Sequence, residues 1–233
     1  LSSSHPLYHM TKRLCFKAGL ELPKLYIISD SVPNAFATGR NPANAAVALT
    51  TGLLDTLNDD EIAAVIAHEL GHVRHYDILT GSIAAVFAGG IAILANFAQF
   101  GAMLGNNQNR QNPLLIIALS IIMPLAATII QMSISRSREF EADRFSASIT
   151  NPNDLANALL KLEGSNAHTM VKNANEQTAH MFIISPFSGK NIASGISNLF
   201  RTHPTTRQRV ERLNELSRHN KNYQNPARKY FNS

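Results

Sequence analysis

Two long stretches of this chain contain no charge at all, and they constrain its fold more than any other feature. No charged residue lies between Asp77 and Arg110, and none lies between Arg110 and Arg136. The first gap holds ILTGSIAAVFAGGIAILANFAQFGAML (78–104) and the second LLIIALSIIMPLAATIIQMSIS (114–135). As helices they would be about 40 and 33 Å long, at about 1.5 Å per residue. A bilayer core about 30 Å thick takes about 20 apolar residues, so both stretches qualify as spans. The polar, turn-prone GNNQNRQNP (105–113) makes the pair a helical hairpin. Gly81, Ala85 and Gly89 recur every fourth residue, which permits close approach of another helix in lipid. Pro124 would kink the second helix, as membrane helices tolerate. The alternative is two long helices buried in a soluble protein. Asn96 and Gln131, the mildly discordant residues, lie near the helix ends.

The flanks predict an orientation. Arg74, Arg136, Arg138 and Arg144 lie outside the hairpin and only Arg110 within its linker, which places both outer flanks in the cytoplasm. The net charge of +5 is carried by scattered Lys and Arg with no interleaved aromatics, so no nucleic-acid partner is expected. Cys15 is the only cysteine, which excludes an intrachain disulfide and any cysteine-based metal site. No signal peptide heads the chain, and a start at Leu1 reads as a fragment or a processed form.

Before the hairpin, LYIISD (25–30), NAFATG (34–39) and AAVALTTG (45–52) read as three short strands separated by turn residues. LNDDEIAAVIAHELGHVRHYD (57–77) reads as a helix. Asn58 caps it, Glu61 sits three residues on as in a capping box, and Ile62, Val65, Ile66, Leu70 and Val73 form an apolar stripe. SRSREFEADRFSASI continues the second long helix without a breaker, residues 151–164 form another helix capped by Asn153, and 203–219 form an amphipathic one.

His68, Glu69 and His72 spell H-E-x-x-H. Two imidazoles at i and i+4 share one helix face and can bind one zinc ion, with Glu69 within reach of a water in an open position. A satisfied core cluster is the alternative, but a buried carboxylate beside two imidazoles is costly without a cation. A catalytic zinc needs a third protein ligand. Glu139, Glu141 and Asp143 follow the hairpin, and of these Glu139 and Asp143, four apart, share a helix face. One acid of such a pair can bind metal while the other accepts the second ring N–H of a ligand histidine. The remaining histidines, His75 and His180 among them, are expected to be non-ligands, although His75 lies close to the ligand face.

HELGH, SRSREFEAD and HPTTRQRV, in this order and with a hairpin between the first two, resemble the HtpX family of membrane zinc metallopeptidases, bacterial relatives of the CAAX prenyl endopeptidases. PNAFATGRNPANAAVALTTGLL resembles it as well. The resemblance covers almost the whole chain, is weakest over 165–200, and lacks the family's N-terminal spans. It implies His68, His72 and Glu139 as ligands of a single zinc ion, Glu69 as general base and Asp143 as the acid behind a ligand histidine. It implies that His203 and Arg209 approach the active site, His203 as a catalytic donor to the oxyanion and Arg209 in substrate binding. A helix-capping role for His203 and a structural salt bridge for Arg209 are the alternatives. It implies that Asn34, Ala35 and Phe36 hold substrate along a strand edge.

The expected fold is α+β: a mainly helical zincin-like domain, discontinuous over 1–77 and 135–233, with a small sheet and a transmembrane hairpin over 78–134. The expected activity is that of a zinc metalloendopeptidase. It would cleave membrane or misfolded proteins in a stress-related quality-control role. The expected location is the bacterial inner membrane, multi-pass, with the active site facing the cytoplasm. Its expected partners are a protein or peptide substrate, the lipid bilayer, and other membrane helices such as the missing N-terminal spans. Two competing readings are an inactive zinc-loaded scaffold, which would not need Glu69, and a soluble metallopeptidase with a buried hairpin.

Overall fold

The computed structural model describes residues 1–104, 113–168 and 204–224. Most of the hairpin linker, His180, His203 and nearly all of 165–200 lie outside the described residues. The chain is mostly helical with one small sheet, as expected. Its described residues divide into two compact units: 1–78, 138–168 and 204–224 in the first, and 79–104 and 113–137 in the second.

The first unit opens with α1 (Pro6–Ala18), a helix that the sequence reading leaves unassigned. His5 accepts the Leu7 N–H at the start, Pro6 stands where a helix has no N–H to spare, and Gly19 closes it in a left-handed conformation. Its buried residues Leu7, Thr11, Leu14, Cys15 and Ala18 follow the helical period. Strands β1 (Lys24–Ile28), β2 (Ala35–Thr38) and β3 (Ala46–Thr50) form the sheet in the order β1-β3-β2. β1 is parallel to β3, pairing Lys24 with Ala46, and β2 is antiparallel to it, pairing Ala35 with Leu49. The Val47 and Leu49 side chains make β3 the buried central strand, which leaves β2 at an edge of the sheet. The Thr50 hydroxyl caps the short α2 (Thr51–Thr56) and also accepts the backbone N–H of Asn34, fixing the start of β2.

Helix α3 (Asp59–Arg74) begins with the expected capping box between Asn58 and Glu61. Glu61 Oε2 also receives Lys161 Nζ at 2.7 Å, which ties the helix start to α6 (Pro152–His168). The expected stripe is buried, and so are the residues between, including Ala64, Ala67, His68, Glu69 and Gly71. A helix covered on nearly all sides is a core helix. The long α5 (Pro113–Ile149) follows α4 (Asp77–Leu104) and is continuous to its end, as the absence of a breaker predicts. Its last turns cross α3 closely: a Cβ built on Gly71 would lie 3.0 Å from Ala142 Cα and 3.2 Å from Phe145 Cδ1. Glycine suits this position because a side chain there would be tight against Ala142 and Phe145. Ser146 reinforces the crossing by donating to the Ala64 carbonyl at 2.7 Å. α6 is capped two residues earlier than expected, since the Asn151 side chain accepts the N–H of Asn153, which lies inside the helix. The last helix, α7 (Thr206–Gln224), starts with a reciprocal cap between Thr205 and Gln208 and buries Thr206, Arg209, Leu213 and Ser217 at helical spacing.

In the second unit, Val86, Phe87, Phe97 and Phe100 of α4 and Ile122 and Ile130 of α5 are exposed. Among the described residues, no helix is long and apolar enough to cross a membrane.

Candidate metal centre

Three donor groups converge where α3 faces the end of α5. The Nε2 atoms of His68 and His72 lie 3.2 Å apart. Glu139 offers one carboxylate oxygen to each, Oε2 at 3.6 Å from His68 Nε2 and Oε1 at 3.6 Å from His72 Nε2. All three ligand atoms lie within 4.8 Å of one another. Donors bound tetrahedrally to zinc at about 2.0–2.1 Å lie about 3.3 Å apart, so the spacing of this group suits a single ion.

The outer nitrogens explain why the inner ones converge. His68 Nδ1 lies 3.0 Å from Asp143 Oδ1, and His72 Nδ1 lies 2.7 Å from Asp77 Oδ2. A carboxylate facing Nδ1 places the ring proton there and leaves Nε2 as an acceptor. Two acceptor lone pairs facing each other at this distance repel, and either a cation between them or a proton on one relieves the conflict. The electrostatics of the chain alone favour the proton. Burial and the Arg209 guanidinium oppose a charge on His68, but Asp143 and Glu139 outweigh them and push its pKa up to about 9.

Each carboxylate behind a histidine is in turn held by an arginine. Arg209 forks onto Asp143 with Nε to Oδ2 at 2.8 Å and Nη2 to Oδ1 at 2.6 Å, and it reaches Glu139 Oε2 with Nη1 at 3.4 Å. This fork keeps the Asp143 carboxyl below the usual range, despite the opposing effect of burial. Arg138 Nε lies 3.0 Å from Asp77 Oδ1.

Glu69 is buried beside the group. Burial raises its pKa, while both histidines and the Ala37 backbone N–H act in the opposite direction. That N–H belongs to β2, so the edge strand meets the carboxylate directly.

The structure thus brings together His68, Glu69, His72, Glu139 and Asp143, and sets β2 beside them. Of the strand residues expected to hold substrate, Asn34 and Ala35 are buried and Phe36 is partly covered. Arg209 differs from its expected substrate contact: it is 1% exposed and braces Asp143, so little of it is open to a peptide. His75 stands apart as the C-cap of α3, its ring edge-on to Phe145. Glu141 points away and pairs with Arg144 at 2.9 Å. Asp77 is absent from the sequence reading.

Comparisons with known proteins identify the relatives of this chain. The profile described as "Peptidase family M48" matches residues 3–217. The "Protease HtpX homolog" of Campylobacter hominis is 58% identical over 217 residues, covering 92% of this chain and 76% of the relative. The "Protease HtpX" of Legionella pneumophila strain Lens is 49% identical over 222 residues, covering 93% and 78%. The crystal structure of S. mikatae Ste24p shares the fold, with a TM-score of 0.60 at 22% identity, over 90% of this chain and 50% of that one. The chain therefore spans about half the length of that structure.

Fold, donor group and relatives define the class as a protease of the metallopeptidase kind. The chain belongs to peptidase family M48, and the HtpX resemblance expected from its motifs is borne out.

The two neighbouring glutamates separate sharply. Replacing Glu139 by Ala should lower the zinc content of the purified chain severely, whereas Glu141→Ala should leave it unchanged. Equal zinc content in the two variants would refute the assignment of Glu139 as a ligand.

Proposed function

We propose that this chain is a membrane-bound zinc metalloendopeptidase that cleaves peptide bonds of membrane or misfolded proteins. The observation that carries this reading is the convergence of His68, His72 and Glu139 directly beside a buried Glu69 and an edge strand. Residues 1–77 and 135–233 form the peptidase domain in this reading, and 78–134 form the membrane hairpin.

Zinc held by His68, His72 and Glu139 would supply Lewis-acid polarisation of the scissile carbonyl and a water acidic enough to ionise near neutral pH. Glu69, buried beside these donors, would act as general base and as the proton carrier to the leaving amine. Asp143, locked by Arg209, holds the His68 ring in one tautomer. A substrate in extended form would add along β2 through main-chain bonds, with Asn34, Ala35 and Phe36 aligning it. His203 as donor to the oxyanion rests on the HtpX resemblance alone.

The membrane location rests on the uncharged stretches 78–109 and 111–135, on the exposed Phe87, Phe97 and Phe100, and on the arginine asymmetry of the flanks. Both outer flanks, and with them the active site, would face the cytoplasm of a bacterium, in keeping with a quality-control protease of the inner membrane. In a Cys15→Ala background, single cysteines placed in 105–112 should react with an impermeant thiol reagent added outside intact cells. Reaction only after lysis would reject this topology.

The catalytic claim has its own test. Glu69→Gln keeps size and helix propensity but removes the base. Zinc should remain bound, and cleavage of a peptide substrate should fall by about 10²–10⁴-fold. Unchanged cleavage with zinc retained would mean that the histidine pair is a metal clip and that Glu69 is not the base.

A further inference from the structure

We propose that Asp77, braced by Arg138, is a positioning residue for the metal centre, orienting His72 as Asp143 orients His68. The inference rests on the metal-site reading above.

Sequence spacing alone argues against the contact. On an unbroken helix, residues five apart are about 140° around the axis and do not meet. The chain brings them together by breaking the helix between them. His75 ends α3, Tyr76 adopts a left-handed conformation at φ 55°, and α4 begins at Asp77. That conformation is unfavourable for a tyrosine, and the turn it makes returns Asp77 over His72. The resulting Oδ2–Nδ1 distance of 2.7 Å is shorter than the 3.0 Å between Asp143 and His68. The other oxygen of Asp77 lies at ion-pair distance, 3.0 Å, from Arg138 Nε without a hydrogen bond, and Arg138 Nη2 donates to the His75 carbonyl at 3.4 Å. One arginine therefore braces both the carboxylate and the turn that presents it.

The two ligand histidines are in this way supported alike, each by an aspartate and each aspartate by an arginine. An acid in the first turn of α4 would also be favoured by the helix dipole alone. That simpler role needs neither the left-handed turn nor the ion pair, and it predicts an effect on folding without an effect on metal affinity.

The test compares zinc affinity of the full chain in detergent micelles, measured by competition with a chromophoric chelator, with the visible absorption of the cobalt(II)-loaded protein. Asp77→Ser keeps a residue that suits a helix start but is too short to reach His72. It should bind zinc about 10–100-fold more weakly and shift the cobalt spectrum. Asp77→Asn retains an acceptor oxygen and should recover part of the loss. Asp59→Ala, which removes a first-turn acid from α3, should bind zinc like the unaltered chain. A folded Asp77→Ser variant with unaltered zinc affinity and cobalt spectrum would overturn the inference, whatever its thermal stability. Failure of the unaltered chain to bind zinc would instead overturn the functional reading on which the inference stands.

Discussion

The close crossing of α3 and α5 at Gly71 and Ala142 sets the geometry on which the site depends. Gly71 sits between Glu69 and His72 in the helix that carries both imidazoles, and Ala142 sits between Glu139 and Asp143. The one point where the backbones touch is therefore also the point from which both sets of side chains project. A side chain on Gly71 would press on Ala142 and Phe145, next to the residues that carry Glu139 and Asp143. Overpacking of this kind costs about 1–3 kcal/mol in a packed interior. The small residues of HELGH and REFEAD are thus as much a part of the centre as its ligands.

Burying this many ionisable groups together requires a charge balance. Glu69, Glu139, Asp143 and Asp77 crowd around two histidines, with Arg209 and Arg138 as the cations that face them. Among the described residues, these carboxylates outnumber the guanidiniums facing them, which suits a cation while both imidazoles stay neutral. Asp143 and Glu139 raise the proton affinity of His68, and burial raises that of Glu69. Core burial elsewhere in the unit, from Leu53 and Ile66 to Leu159 and Leu213, supplies the rigid frame that keeps these charges close.

Much of this was legible in the sequence because it depends on local rules. The three strands, the capping box of α3 and the pairing of Glu139 with Asp143 on one face follow from period and spacing. What was not legible depends on departures from those rules or on distant packing. Asp77 could not be read from helical spacing, because its contact exists only where Tyr76 breaks the helix. α1 was obscured by Lys12, Arg13 and Lys17, whose charges dilute a stripe that contains the polar Thr11. Arg209 was a candidate for substrate contact through the HtpX resemblance of HPTTRQRV, with a structural salt bridge as the alternative. Its burial against Asp143 is set by how α7 packs on the rest of the unit.

The central claim is that His68, His72 and Glu139 hold one zinc ion with a position left open beside Glu69. X-ray absorption at the zinc edge of the purified full chain tests it most directly. The account predicts four-coordinate zinc with nitrogen and oxygen donors at about 2.0–2.1 Å, multiple scattering from two imidazoles, and no sulfur at about 2.3 Å. Scattering from three imidazoles, a six-coordinate oxygen shell, or a chain that carries no zinc would contradict it.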